Sequence, residues 1–439
     1  MAILDALEDL RMLEIRDQSG RRTDRLIHQW RKDRENEWLF IANGKNPDCP
    51  DVDPAPVLRF SLQGEYRLTE YDTLSGAIRP LGAVYQNGRT LFERPWHMHD
   101  SLLLRLEPGR SSQPVLSLIR GEKSPISLMT PVKISLDEPN MLLLDMAEYA
   151  LNGGDYRPME ELLRLDNRAR AELGIPLRRK EVLQPYLIAP EQFENFLSLR
   201  FRIPSECEVS APLLGLEDLD LTQIRFNGVE VEPKAVGWYV DRCIQTVALP
   251  PIHPGENILE IQTPIGRRTN LECYYLLGDF GVRVNGVQKT VIPPVKTLGF
   301  GDIVSQGLPF YTGNVNYFFE IETDGPMTLR VPRYRGGLVK VFMDGKEQGN
   351  IAFSPYAMDL NPSPGRHEIC LKLYGVRQNG FAQLHHTPGV YFYQSPNSWR
   401  SAGDLWCYEY QFKPMGILKS PLLYGLEGGS DADHITDRS

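Results

Sequence analysis

The sequence predicts a mainly β protein of several domains, with two jelly-roll β-sandwiches in its C-terminal half and a smaller β-sandwich before them. Three observations carry this. Leu197, Leu199, Phe201 and Ile203 alternate with Ser198, Arg200 and Arg202, while Tyr317, Phe319 and Ile321 alternate with Phe318, Glu320 and Glu322. This is the period-two pattern of strands with one face on a core. Each run leads to a hairpin signal, Ile224-Arg225-Phe226-Asn227-Gly228 in the first and Val341-Phe342-Met343-Asp344-Gly345 in the second. Asn-Gly and Asp-Gly supply the two positive-φ residues that such turns need. Each copy then restarts at a Pro-Gly pair, Pro254-Gly255 and Pro364-Gly365, before another apolar strand. Gly228 and Gly345 stand 117 positions apart, so one plan is written twice.

From the N-terminus, Leu4, Leu7, Leu10 and Leu13 have helical spacing, and two strands are expected from Leu26 to Arg31 and from Glu37 to Asn43. One helix and one hairpin enclose no core, so residues 1–45 are expected to be the remnant of an α/β domain. Residues 46–134 are expected to form the small sandwich: Leu58, Phe60 and Leu62 alternate with polar residues, as do Tyr66 and Leu68, and turns at 72–76 and 86–88 precede a last strand at Ser101 to Glu107. Residues 135–190 read as a linker with one helix, Pro158 to Leu173, in which Met159, Leu162, Leu163 and Ala169 share a face and Gly174 and Pro176 supply the stop. The jelly rolls follow at 191–300 and 301–425, and the Gly-, Ser- and Asp-rich tail 426–439 is expected to be disordered.

The two copies differ by an insertion. Gly228 to Gly255 spans 27 positions and Gly345 to Gly365 spans 20, so the first copy holds seven extra residues, around Val236-Gly237-Trp238-Tyr239-Val240-Asp241. Insertions into sandwiches end up in loops, where specificity resides. Trp238, Tyr239, Asp241 and Arg242 are therefore the candidate carbohydrate-binding residues, because pyranose C–H faces stack on flat aromatic rings while hydroxyls need directional polar partners. The competing expectation places Trp238 over the sandwich core.

A net charge of -9 and a pI near 5.5, with no Lys/Arg block, remove the attraction on which nucleic-acid affinity rests. No apolar run approaches membrane-spanning length, so neither nucleic acid nor membrane is an expected partner. Residues 1–22 do not read as a signal peptide, and the six cysteines form no Cys-x-x-Cys pair. A cytoplasmic location is expected. His97 and His99 beside Asp100 could begin a metal site, but a third ligand is not visible, and in His385-His386 the rings point apart if the chain is extended. No cofactor is expected. Calcium is the ion that would suit the acidic stretches Asp48, Asp51 and Asp53 or Glu217, Asp218 and Asp220, although neither has the spacing of a calcium loop. Asp241 with Glu256, or Asp279 with Glu272, could be nominated as a glycosidase acid pair, but nothing fixes their separation. No catalytic residue is assigned, and no Gly-x-Ser-x-Gly elbow is present.

Three segments carry a family likeness: Tyr71-Asp72 to Gly76-Ala77-Ile78-Arg79, Asp100-Ser101-Leu102-Leu103-Leu104-Arg105-Leu106-Glu107-Pro108, and Glu138-Pro139-Asn140-Met141-Leu142-Leu143-Leu144-Asp145. They resemble the β-rich C-terminal half of large bacterial α-L-rhamnosidase-like glycoside hydrolases. The series Asn227-Gly228, Trp238 to Asp241 and Pro254-Gly255-Glu256-Asn257 is similar to the galactose-binding-like jelly roll of β-galactosidase and β-glucuronidase relatives. Val341 to Lys346, Pro355-Tyr356 and Gly365-Arg366-His367 resemble a second copy. The likeness runs from about Glu37 to Leu423, and each motif alone is weak. It implies a glycoside hydrolase whose catalytic (β/α) barrel precedes these modules. A barrel needs roughly 250 residues, and residues 1–45 cannot supply one. The resemblance thus implies the carbohydrate-binding and structural part of such an enzyme, a fragment or split subunit, with an oligosaccharide or glycoside as ligand and a catalytic barrel subunit as partner. The alternatives are a free-standing lectin-like protein and a self-contained glycosidase.

Overall fold

The computed structural model describes residues 10–34, 36–45, 55–73, 76–110, 125–126, 128–178, 187–387 and 402–425. The tail 426–439 and the acidic stretch Asp48, Asp51 and Asp53 lie outside the described residues. Among the described residues the fold is mainly antiparallel β, without a barrel, and its apolar side chains gather in three cores. No helix is long and apolar enough to cross a membrane.

The first sandwich packs two sheets. One runs Leu13–Asp17, Val57–Gln63, Arg89–Pro95, Val84–Gln86, and the other Leu26–Asp33, Asn36–Asn43, Ser101–Pro108, Tyr66–Tyr71, Ile78–Leu81. Leu39, Ile41, Leu102, Leu104 and Leu106 point inward from the second sheet onto Phe60, Phe92 and Trp96, and the Phe60 and Phe92 rings stack at 4.7 Å. The described residues of the segment 1–45 are therefore not a separate α/β remnant, because their strands supply two edges of this sandwich. Leu13 and Ile15 alternate with Glu14 and Arg16 in the strand Leu13–Asp17, a two-residue period that the leucine spacing upstream obscures. Leu4 and Leu7 lie outside the described residues.

The described residues of the segment 135–190 are likewise not a linker. Val132–Leu136 joins Val315–Thr323 in the last sandwich, while Asn140–Leu144 and Met146–Leu151 join opposite sheets of the middle one. All five residues of Asn140–Leu144 are buried. A strand covered on both faces has no alternation to read. The helix Leu162–Leu173 starts four residues after Pro158, because Arg157–Glu161 is a strand paired with Met146–Leu151. The Glu161 side chain caps it by accepting from Arg164 N at 3.0 Å, and Gly174 ends it at φ 68°.

In the middle sandwich, Asn195–Ser205 pairs with Gly255–Ile265, which pairs with Gln223–Phe226, which turns into Val229–Val231. In the last, Val315–Thr323 pairs with Gly365–Leu373, which pairs with Val339–Met343, which turns into Lys346–Ile351. The order is the same, and both turns place the expected residues at positive φ: Asn227 and Gly228 at 49° and 80°, Asp344 and Gly345 at 49° and 74°. The repeat in the sequence is a repeat of topology.

The chain does not stay in its last sandwich. After Gly365–Leu373 it crosses back over the middle one, where Phe381, Leu384, Tyr410 and Phe412 pack with Phe310, and then returns Met415, Ile417 and Leu423 to the last core. This strap, with the strand Val132–Leu136, interlocks two units that the sequence sets side by side.

Candidate carbohydrate-binding surface

The insertion folds as an edge hairpin: Gly237–Tyr239 pairs with Asp241–Ala248 at the rim of the five-stranded sheet, through Val240 at φ 61°. Alternation across this short strand separates the two aromatic residues. Trp238 is 58% exposed, while Tyr239 is 5% exposed and packs between Tyr275, at 6.0 Å, and Phe381, at 5.9 Å. Burial pushes its hydroxyl up to about 12. Tyr239 is thus a core residue that anchors the strap and is withdrawn from the ligand-facing set. The expectation that Trp238 covers the core fails for the same reason, since Tyr239 takes that place.

Trp238, Asp241 and Arg242 are all exposed in this hairpin, as are Val236 and Val240, and the register sets Trp238 opposite Gln245. Asp241 Oδ1 accepts from Cys243 N at 3.0 Å and lies 3.1 Å from Cys243 Sγ; the Cys243 N–H and thiol hold its carboxyl below the usual carboxylate range. Glu217 lies 3.6 Å from the same thiol, and burial raises its carboxyl. Desolvation, with Asp241 and Glu217 alongside, pushes the Cys243 thiol up to about 12, so it stays protonated at neutral pH. The surface therefore offers one flat ring, one ionised carboxylate and one guanidinium, the groups needed to stack a pyranose face and bond its hydroxyls.

The other nominated groups do not converge. Glu256 opens a strand of the eight-stranded sheet and pairs with Arg202 at 3.0 Å, whereas Asp241 belongs to the five-stranded sheet. Glu272 and Asp279 flank the strand Tyr274–Gly278, about 20 Å apart along an extended chain, beyond the span of a glycosidase pair. His97 and His99 sit in a turn rather than on a strand, with His99 at φ 59° and Asp100 Oδ2 accepting from His97 N at 3.4 Å. Among the described residues no group of three His, Cys, Asp or Glu side chains could hold a metal ion.

Sequence reasoning missed a buried polar cluster. Lys289 Nζ donates to Asp145 Oδ1 at 2.7 Å, to Leu143 O at 2.5 Å and to Tyr410 OH at 2.7 Å; the Tyr410 hydroxyl lies 2.6 Å from the same Asp145 oxygen. His385 reaches Asp145 Oδ2 at 3.2 Å and Cys407 O at 3.1 Å, and its ring stacks on Trp406. The Arg164 guanidinium lies 4.1 Å from the centroid of that indole. Burial alone would raise the Asp145 carboxyl, but Lys289 and His385 outweigh it and hold it well below the usual carboxylate range. Burial also lifts nearby Glu161 to about 7. Every member comes from the middle sandwich or the strap, so the cluster pins one to the other. A charged residue directly after Leu142-Leu143-Leu144 was the only signal for it.

Two grooves lie near these elements. One, of about 590 Å³, opens between the two jelly rolls against Asp137, Glu138, Asn140 and Lys296. The other, of about 540 Å³, is walled by Val284, Gln306, Tyr410 and Phe412.

No family model matches this sequence, and no curated protein matches it. Among solved structures the chain is similar to a rhamnosidase from Novosphingobium sp. PP1Y, at 9% identity and TM-score 0.42, over 96% of this chain and 26% of that one. It is also similar to an α-L-rhamnosidase from Streptomyces avermitilis, at 11% identity and TM-score 0.22, over 83% of this chain and 38% of that one. A GH2 β-galacturonidase from Eisenbergiella tayi matches at 10% identity and TM-score 0.19, over 56% and 38%. The chain spans 26% to 38% of the length of these proteins.

Proposed function

We propose that this chain is the carbohydrate-binding and structural portion of a glycoside hydrolase of rhamnosidase-like or galactosidase-like organisation, working beside a catalytic barrel carried by another segment or subunit. The observation that carries the binding role is Trp238, a 58%-exposed indole on an edge strand with the Asp241 carboxylate and the Arg242 guanidinium in the same hairpin. An amphipathic sugar ring matches both the flat apolar indole and the polar groups of this hairpin. The structural role is supported by the interlocked jelly rolls, whose strap and buried ion cluster make a rigid platform.

The test is a tryptophan-fluorescence and calorimetric titration of the full chain with neutral rhamnosyl and galactosyl oligosaccharides. Binding by the wild type and a roughly tenfold loss in Trp238→Ala, with an unchanged melting temperature, is the expected result. Equal affinity in wild type and variant would remove Trp238 from the site. Co-purification with a barrel-containing polypeptide separates the subunit reading from a free-standing lectin.

A further inference from the structure

The outer face of the five-stranded sheet in the first sandwich carries a second, differently built surface. Its register sets Gln29, Phe40, Leu103, Tyr71 and Ile78 side by side across all five strands. The adjoining row holds Arg31, Trp38, Arg105 and Thr69. The alternate residues of these strands fill the core, so both rows must face outward. Ile27 and Ile78 are each 61% exposed and Phe40 39% exposed. Trp38 and Tyr71 brace each other edge to face at 5.1 Å, and Arg105 Nη1 lies 3.5 Å from Tyr71 OH.

A mostly apolar row holding Phe40 and Tyr71 lies directly against a row that holds two guanidinium groups, the Trp38 indole and the Thr69 hydroxyl. Arg31, Arg67 and Arg105 share this side with Asp33 and Glu107; Arg105 and Arg67 both pair with the one Glu107 carboxylate, which leaves a surplus of one positive charge (three minus two) on a chain whose net charge is -9. That local sign favours an anionic ligand over the rest of the surface.

We infer that this face binds an extended acidic polysaccharide, with uronate rings stacked along Phe40, Trp38 and Tyr71 and carboxylates met by Arg31 and Arg105. The inference takes its ligand class from the carbohydrate reading above but uses none of that surface's residues. The test is affinity electrophoresis and calorimetry of the full chain, with sodium polygalacturonate and neutral dextran as probes. Polygalacturonate should bind, more weakly as salt rises, and dextran should bind far less. Trp38→Ala should weaken binding about tenfold, while Trp238→Ala leaves it unchanged. If Trp38→Ala fails to fold, Phe40→Ser and Arg31→Gln, at exposed positions, give the same reading. Absence of polygalacturonate binding, equal binding of dextran, or unchanged binding in the face variants overturns the inference. Loss in Trp238→Ala alone would overturn it while supporting the earlier site. Concentration-dependent self-association abolished by Phe40→Ser would overturn it by making a second copy the occupant.

Discussion

His385 Nε2 lies 3.2 Å from Asp145 Oδ2 across 240 residues of sequence, while Lys289 and Tyr410 hold the other carboxylate oxygen. A buried charge that loses its partner is left without compensation, which costs about 3–5 kcal/mol. Asp145→Ala should therefore destabilise the middle sandwich by that amount in urea unfolding. It should also open the strap, so that limited proteolysis cuts between Gly375 and Met415 first. The double change Asp145→Leu with Lys289→Met should cost less than the sum of the two single changes, because it removes both charges together. The Asp145 contribution is present above the ordinary carboxylate range and is lost as pH falls through and below it.

Glu161 acts in the opposite direction. Burial lifts its carboxyl from 4.5 to about 7, so between those values the folded chain keeps a proton that the unfolded chain has released. Stability then falls as pH rises through this window, by about 3 kcal/mol in total. Asp145 is ionised in both states there and adds no slope. Urea midpoints at pH 5 and pH 8 should drop for the wild type and change less for Glu161→Gln, whose amide oxygen can still accept the Arg164 N–H at the helix start.

Leu39 and Ile41 are fully buried in the first core. Replacing either by Ala should cost about 2–5 kcal/mol, seen as a lower unfolding midpoint of the first sandwich. Removing residues 1–45 should unfold that sandwich entirely, with loss of amide-exchange protection at Leu102 to Leu106. A truncated chain that keeps this protection would restore the 1–45 segment as an independent unit.

What could be read from the residues depended on whether one face of a strand was wet. Leu197 to Ile203 and Tyr317 to Ile321 alternate, and their strands, turns and shared topology follow from that alternation. Asn140–Leu144 is dry on both faces and showed no period, so the unit around it passed for a linker. The candidate hairpin was found through an insertion between repeats, and Trp238 and Asp241 do lie in it. The inward side of Tyr239 is not legible in the sequence, because a strand of three residues, Gly237–Tyr239, is too short to display its alternation. The Asp145 cluster was invisible because its partners lie 144 and 240 residues away in sequence, and no local pattern encodes such a meeting.

Two glycines separate backbone conformation from close packing. Gly345 sits at φ 74° with open space where a side chain would go. Gly345→Ala should cost about 1 kcal/mol from left-handed strain, and Gly345→Asn should recover most of it, since Asn tolerates that conformation. Gly375 lies where the strap leaves the last sandwich, and an added Cβ would press into the backbone carbonyls of Thr312 and Gly313. Backbone cannot step aside as a side-chain tip can, so Gly375→Ala should cost about 1–3 kcal/mol or more, and Gly375→Asn should be worse rather than better. Unfolding midpoints of the four variants measure this. A Gly375→Asn variant as stable as wild type would mean that the strap leaves the sandwich by a looser path.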